Sequence, residues 1–234
     1  MCGRYRLGRG REAFRKYFGI DREGYDWSPR FNIAPTQQVP VIRQNSREPN
    51  RELSFMRWGL IPNWSKDPPG PPMINARSET ASEKPAFRDA LVTRRCLIPA
   101  DGFYEWKRDL KSKQPYCFTL QDESVFAFAG LWDRWTNPKG EVIETCSILT
   151  TTPNSVTRDV HDRMPVILPS DAYDLWLDPA FTSSQGVREM LHPFTAQEMK
   201  KFPVSSRVNN AANDDKECSA VVELAAPLQQ TTLF

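Results

Sequence analysis

Apolar and polar positions alternate over short stretches along most of this chain, a pattern that predicts strands more often than helices. Runs at 2–7, 38–43, 52–58, 94–99, 102–107, 114–120, 124–132, 145–151 and 164–168 are mostly rich in β-branched or aromatic residues, and Pro, Gly, Asn or Asp separate them. Their close spacing predicts largely antiparallel pairing. Residues 11–18 break the pattern: Phe14, Tyr17 and Phe18 fall at i, i+3 and i+4, on one face of a helix that would cover a sheet. Thr80-Ala81-Ser82-Glu83 and Thr195-Ala196-Gln197-Glu198 match the capping box that opens a helix, the first predicting a helix over 82–91. A further helix is expected over 170–177, and a short helical turn at 154–160, just before His161. The expected fold class is α+β: a single domain over 1–224 with a mostly antiparallel, barrel-like β-sheet flanked by short helices. Residues 225–234 carry no strong pattern and are expected to fray, and Asp67-Pro68-Pro69-Gly70-Pro71-Pro72 reads as a stiff loop outside any ladder.

Composition narrows the class. With 234 residues, 39% hydrophobic and 26% charged, the chain is long enough for a proper core. No apolar run approaches membrane-spanning length, and the arginine-rich start lacks the apolar stretch of a secretory signal, so a cytoplasmic location is expected. Five cysteines without C-x-x-C spacing argue against a disulfide framework, and His161 and His192 do not sit at zinc-ligand spacing. No metal and no organic cofactor are expected. A net charge of +2 does not announce a nucleic-acid binder, but Arg4, Arg6, Arg9, Arg11, Arg15 and Lys16 face only Glu12 in the first 16 residues. That end would attract an anionic substrate, although Arg11, Arg15 and Lys16 also read as a solvated helix face.

Cys2 is the most unusual candidate for chemistry. Removal of Met1 would leave it with a free α-amine beside its thiol, two groups that ionise at about 8 and about 8.5. Such an aminothiol reacts with an aldehyde: the amine gives an imine, and sulfur closes onto it as a thiazolidine. A cysteine merely buried in an N-terminal strand fits the same six residues. Other polar and aromatic segments lie where packing alone would not require them: Asn32-Ile33-Ala34-Pro35, Trp58-Gly59, Asn75-Ala76-Arg77, Gly102-Phe103-Tyr104-Glu105-Trp106 and His161-Asp162-Arg163. Each reads as a loop or strand end, where scaffolds mount sites, but spacing alone cannot bring them together.

Together with Cys2-Gly3-Arg4, and in this order, these motifs make the chain resemble the SRAP (SOS response-associated peptidase) family of abasic-site-processing proteins over roughly its first 210 residues. The resemblance implies a covalent link between Cys2 and the ring-opened aldehyde of an abasic site in single-stranded DNA, shielding the strand from cleavage. It implies Glu105 as acid-base group, raised toward neutrality by burial among Phe103, Tyr104 and Trp106. It further implies His161 as proton donor to the sugar oxygen and Asn75 as the holder of cysteine and sugar. Arg4, Arg77 and Arg163 are expected on DNA phosphates, an internal pair with Asp162 or Glu79 being the competing reading for Arg163. Trp64 is expected to stack near the lesion, whereas Trp58 reads as core. Many relatives carry two adjacent tryptophans where this chain has Trp64-Ser65, which leaves the DNA path open. A lyase-like side activity is conceivable while the imine persists. Two other readings stand beside this one: a thiol peptidase using Cys2, confined in its least demanding form to removing Met1, and a non-covalent single-strand binding module. A monomer is expected.

Overall fold

The computed structural model describes residues 2–20, 28–44, 50–66, 70–108 and 113–224. The first strand, β1 (Tyr5–Leu7), buries Tyr5 and Leu7 on either side of a half-buried Arg6. Helix α1 (Arg11–Phe18) places Phe14 and Phe18 one turn apart in the core and ends at Gly19, whose φ of 65° lies where glycine alone is unstrained. Then come β2 (Arg30–Ile33), β3 (Gln38–Gln44), β4 (Arg51–Trp58), β5 (Asn75–Arg77), α2 (Arg88–Thr93), β6 (Arg95–Ala100), β7 (Gly102–Arg108), β8 (Lys113–Leu120), β9 (Phe126–Thr136) and β10 (Val142–Thr151). The chain continues through β11 (Met164–Pro165), β12 (Ile167–Leu168), α3 (Tyr173–Leu177), α4 (Ser184–Glu189) and β13 (Met199–Pro203).

Two sheets result, and the fold is a single α+β domain dominated by strands. The first runs β13-β8-β7-β1-β2, with every neighbour antiparallel. In the second, pairings pass from β10 through β4, β3, β6 and β9 back to β10. That sheet is ring-like and not a closed barrel, because β3 meets β6 at the single pair Ile42↔Leu97 and β4 meets β10 over only two pairs. The β4–β10 and β5–β10 pairings are also parallel, which the expected antiparallel pattern did not include.

Aromatic side chains weld the sheets together. Tyr5 of β1 meets Trp58 of β4 and Phe128 of β9 edge to face, at centroid distances of 5.3 and 5.7 Å. Such pairs contribute about 0.5–1.5 kcal/mol each beyond area burial. Trp58 is fully buried, as its pattern predicted, and its indole N–H donates to the Ile74 carbonyl at 2.9 Å. Three residues before Tyr5, Cys2 is thereby held where the first sheet leans on the second.

Several predicted elements differ. The helix expected over 82–91 is a series of turns that becomes helical only at Arg88, and the Thr80 side chain makes no cap. Pro85 explains this, since it lacks an amide donor and its ring clashes with the carbonyl four residues back. The Thr195 box yields a single 3-10 turn (Ala196–Glu198), because Met199 onward pairs with β8. The run at 164–168 divides at Val166, its first half joining β10 and its second β9. Residues 67–69 and the tail 225–234 lie outside the described residues.

Candidate functional site

Antiparallel pairing of β1 with β7 (Tyr5↔Phe103), extended by the Tyr104 amide donating to the Arg4 carbonyl at 2.9 Å, brings the N-terminal segment alongside Glu105. Cys2 is fully buried, and its carbonyl accepts a 2.8 Å hydrogen bond from Asn75 Nδ2. Asn75 arrives by the parallel pairing of β5 with β10 (Ile148↔Asn75). Its other amide atom, Oδ1, is buried with no hydrogen-bond partner, an arrangement that costs free energy unless a ligand or reacting group supplies a donor. Burial pushes the Cys2 thiol far above its ordinary pKa, and the Glu105 charge adds to the effect.

Glu105 is 4% exposed, and burial raises its carboxyl to about 7; the nearby N-terminal amine opposes the shift. Because side chains alternate along a strand, Tyr104 and Trp106 leave β7 on the face opposite Glu105, although Trp106 also lines the cleft. Phe103 shares the face of Glu105, stacked on Phe118 at 4.9 Å in the core between the sheets. Tyr104 points the other way, its hydroxyl donating to the Phe31 carbonyl, and Trp106 donates from Nε1 to Asn209 Oδ1.

His161 follows the predicted turn, which Asn154 organises by accepting from the amides of Val156 and Thr157, both at 3.1 Å. The Arg163 amide lies 3.0 Å from His161 Nδ1, and Nε2 lies 3.9 Å from Glu105 Oε2. Asp162 Oδ1 is also 2.9 Å from Nδ1, which would require a proton there. The two contacts compete. The backbone N–H can only donate, while the 87% exposed Asp162 side chain is free to turn to solvent, so a neutral ring bonded in this way accepts at Nδ1 and carries its proton on Nε2.

Glu105 and His161 open on a cleft of about 910 Å³ also lined by Trp106, Arg77, Lys107, Lys113, Asp159 and Asp162, while Cys2 and Asn75 lie outside its lining. Arg77 is exposed, and its guanidinium makes no hydrogen bond or ion pair among the described residues. Arg163 also lines the cleft, but its guanidinium forks onto Glu79 at 2.7 and 2.9 Å. Arg4 turns inward, bonding Asn32 Oδ1 at 2.9 Å and the Val208 carbonyl at 2.8 Å. The three arginines expected on phosphates are therefore not equivalent: only Arg77 presents an unengaged fork. Trp64 is 61% exposed and lies outside the cleft lining, on a loop pinned by Asn63 N–H to Asp133 and by Trp135 Nε1 to the Ser65 carbonyl.

Lys107 and Lys113 escaped the sequence reading. The basic run Lys107-Arg108 with Lys111 and Lys113 around the β7–β8 connection was the available signal, but only the hairpin pairing places its two ends on the cleft. A hollow of about 1030 Å³ around Tyr17, Phe126 and His192 contains none of the site residues. Among the described residues no group of three or more His, Cys, Asp or Glu could hold a metal ion, and no helix is long and apolar enough to cross a membrane. All five cysteines are free and buried.

The family model described as SOS response associated peptidase (SRAP) matches residues 1–211. The abasic site processing protein YoqW of Bacillus subtilis (strain 168) is 45% identical over 222 residues, covering 93% of this chain and 98% of that protein. The abasic site processing protein HMCES of Xenopus tropicalis is 32% identical over 234 residues, covering 87% of this chain and 69% of that protein. A solved protein from Bacteroides thetaiotaomicron superposes with a TM-score of 0.75 at 28% identity, over 92% of this chain and 93% of that one.

Proposed function

Because the chain belongs to the SOS response associated peptidase (SRAP) family, we propose that it processes abasic sites in DNA, linking Cys2 to the ring-opened sugar of a single strand as a thiazolidine. The observation that carries this reading is the convergence of four residues far apart in sequence: Asn75 bonds the Cys2 carbonyl, the Glu105 charge acts on the Cys2 thiol, and Glu105 meets His161 at the cleft.

The amine acts first. A thiol held far above its ordinary pKa supplies almost no thiolate, so the α-amine freed by Met1 removal is the nucleophile toward the aldehyde carbon. Glu105, poised near neutrality, accepts the ammonium proton and returns one as the carbinolamine loses water to become the imine. The thiol sulfur then adds to the imine carbon while its proton passes to nitrogen, closing the five-membered ring. One water is lost in all, and no oxidant or cofactor takes part. His161 offers its Nε2 proton to the sugar oxygen released on ring opening, and Asn75 fixes the Cys2 backbone while its free Oδ1 accepts from the amine. Arg77, Lys107 and Lys113 contact phosphates, and Trp64 stacks on a base farther along the strand. A thiol held so far above its ordinary pKa supplies little of the thiolate that a general thiol peptidase needs.

The test combines a denaturing gel with intact mass after incubation with an oligonucleotide carrying one abasic site. The expected product is a boiling-stable adduct equal to the Met1-less protein plus the strand, less one water, and it is absent in Cys2→Ala. Binding without an adduct would leave a non-covalent module.

A further inference from the structure

Arg163 and Glu79 form the most completely engaged ion pair near the site, and together they bridge its two halves. Glu79 sits in the turn directly after β5, two residues beyond Arg77 and four beyond Asn75. Arg163 directly precedes β11 and follows His161 by two residues. Its Nη2 reaches the Thr150 carbonyl at 2.6 Å as well as Glu79, and the Ser78 amide donates to that same carbonyl at 2.9 Å. The side chain of Arg163 is only 13% exposed. The Arg163 fork holds the Glu79 carboxyl below its ordinary pKa.

We infer that Glu79 and Arg163 are positioning residues: their clamp across Thr150 fixes the Arg163 amide against His161 Nδ1, which places the imidazole proton on Nε2 facing Glu105. The physical reason is that a backbone N–H dictates a tautomer only if its peptide cannot rotate away. Residue 163 has no strand partner of its own, since β11 pairs begin at Met164 (Thr151↔Met164). Its peptide is anchored through its side chain, to the turn that follows Asn75. The clamp thus couples the Cys2-holding strand to the His161 loop. The catalytic consequence rests on the proposed function, whereas the tautomer does not.

The experiment uses the whole protein. Two-bond ¹H–¹⁵N correlation reads the tautomer of each imidazole, and with only two histidines His192 serves as the internal reference. Wild type is expected to show the Nε2–H form at His161. Glu79→Ala and Arg163→Lys are both expected to populate the Nδ1–H form and to slow adduct formation at saturating strand by up to about 100-fold. Glu79→Gln, gentler on the fold, is expected to move both readouts in the same direction by less. An unchanged tautomer in all three variants would overturn the inference. So would affinities that move in opposite directions, tighter in Glu79→Ala and weaker in Arg163→Lys, because that pattern marks Arg163 as a phosphate contact restrained by Glu79. If wild type forms no adduct, the proposed function fails while the tautomer shift still decides the clamp.

Discussion

Nε2 of His161 stands 3.9 Å from Oε2 of Glu105, so the imidazole proton and a carboxyl poised near neutrality face each other across the base of the cleft. The distance is too long for a direct hydrogen bond between them.

The adduct-forming rate is expected to rise with pH along a limb of apparent pKa about 7, as Glu105 becomes able to accept a proton, and Glu105→Gln should lose that limb. Stability moves the other way. The folded carboxyl titrates at about 7 against 4.5 for the ordinary group, so its favourable contribution is full below the lower value and is lost as pH rises through the higher. Glu105→Gln should therefore be more stable than wild type above pH 7, by at most about 3 kcal/mol. Urea melts at pH 5 and pH 9 check this, and a gain at pH 5 that vanishes at pH 9 would contradict it.

Asn75→Ala removes the anchor on the Cys2 carbonyl and the unpaired acceptor beside it. Attachment to an abasic strand should slow by about 100-fold or more, with binding to an intact strand unchanged. Single-turnover gels and fluorescence anisotropy separate the two effects.

Arg77→Ala should weaken binding to damaged and undamaged strands alike and reduce the salt dependence of affinity by about one counterion. Trp64→Ala should leave the melting curve unmoved, its ring being 61% exposed, but cost about 1–3 kcal/mol of strand affinity with little change in salt slope. Affinity titrations at several salt concentrations distinguish the electrostatic loss from the stacking loss.

Arg95 offers a prediction about the fold alone. Buried at the start of β6, its guanidinium donates to the carbonyls of Leu91, Val92, Trp176, Asp178 and Phe181, tying the ends of α2 and α3 together. Arg95→Met fills similar space but orphans these acceptors and should destabilise by about 3 kcal/mol or more, as read by urea unfolding.

Local pattern was enough for much of the fold. Residues 38–43 and 52–58 announce β3 and β4 because β-branched and aromatic side chains recur there at strand spacing, and Phe14 and Phe18 announce the buried face of α1. Polar and aromatic motifs marked the segments that hold Cys2, Asn75, Glu105 and His161, and the family resemblance singled out Asn75, Glu105 and His161 within them. Strands such as β2, β5 and β13 stayed hidden, because three to five residues hold a strand only through a partner supplied from elsewhere. Pro85 shows the opposite error, a capping signal overruled by a residue that cannot continue a helix.

What sequence by itself determined, then, was the inventory of reactive groups and the strand-rich class, both consequences of side-chain identity and short-range period. Tertiary structure decided which groups share one low-dielectric pocket. Only there does Glu105 lose enough solvent to titrate near 7, and only there is the Cys2 thiol pushed far above its ordinary pKa. Tertiary structure also sorted the arginines, turning Arg4 onto Asn32 and Arg163 onto Glu79 while leaving Arg77 open on the cleft. An arginine's charge is fixed by its chemistry, but whether its fork is free depends on which carbonyls and carboxylates the fold brings within reach.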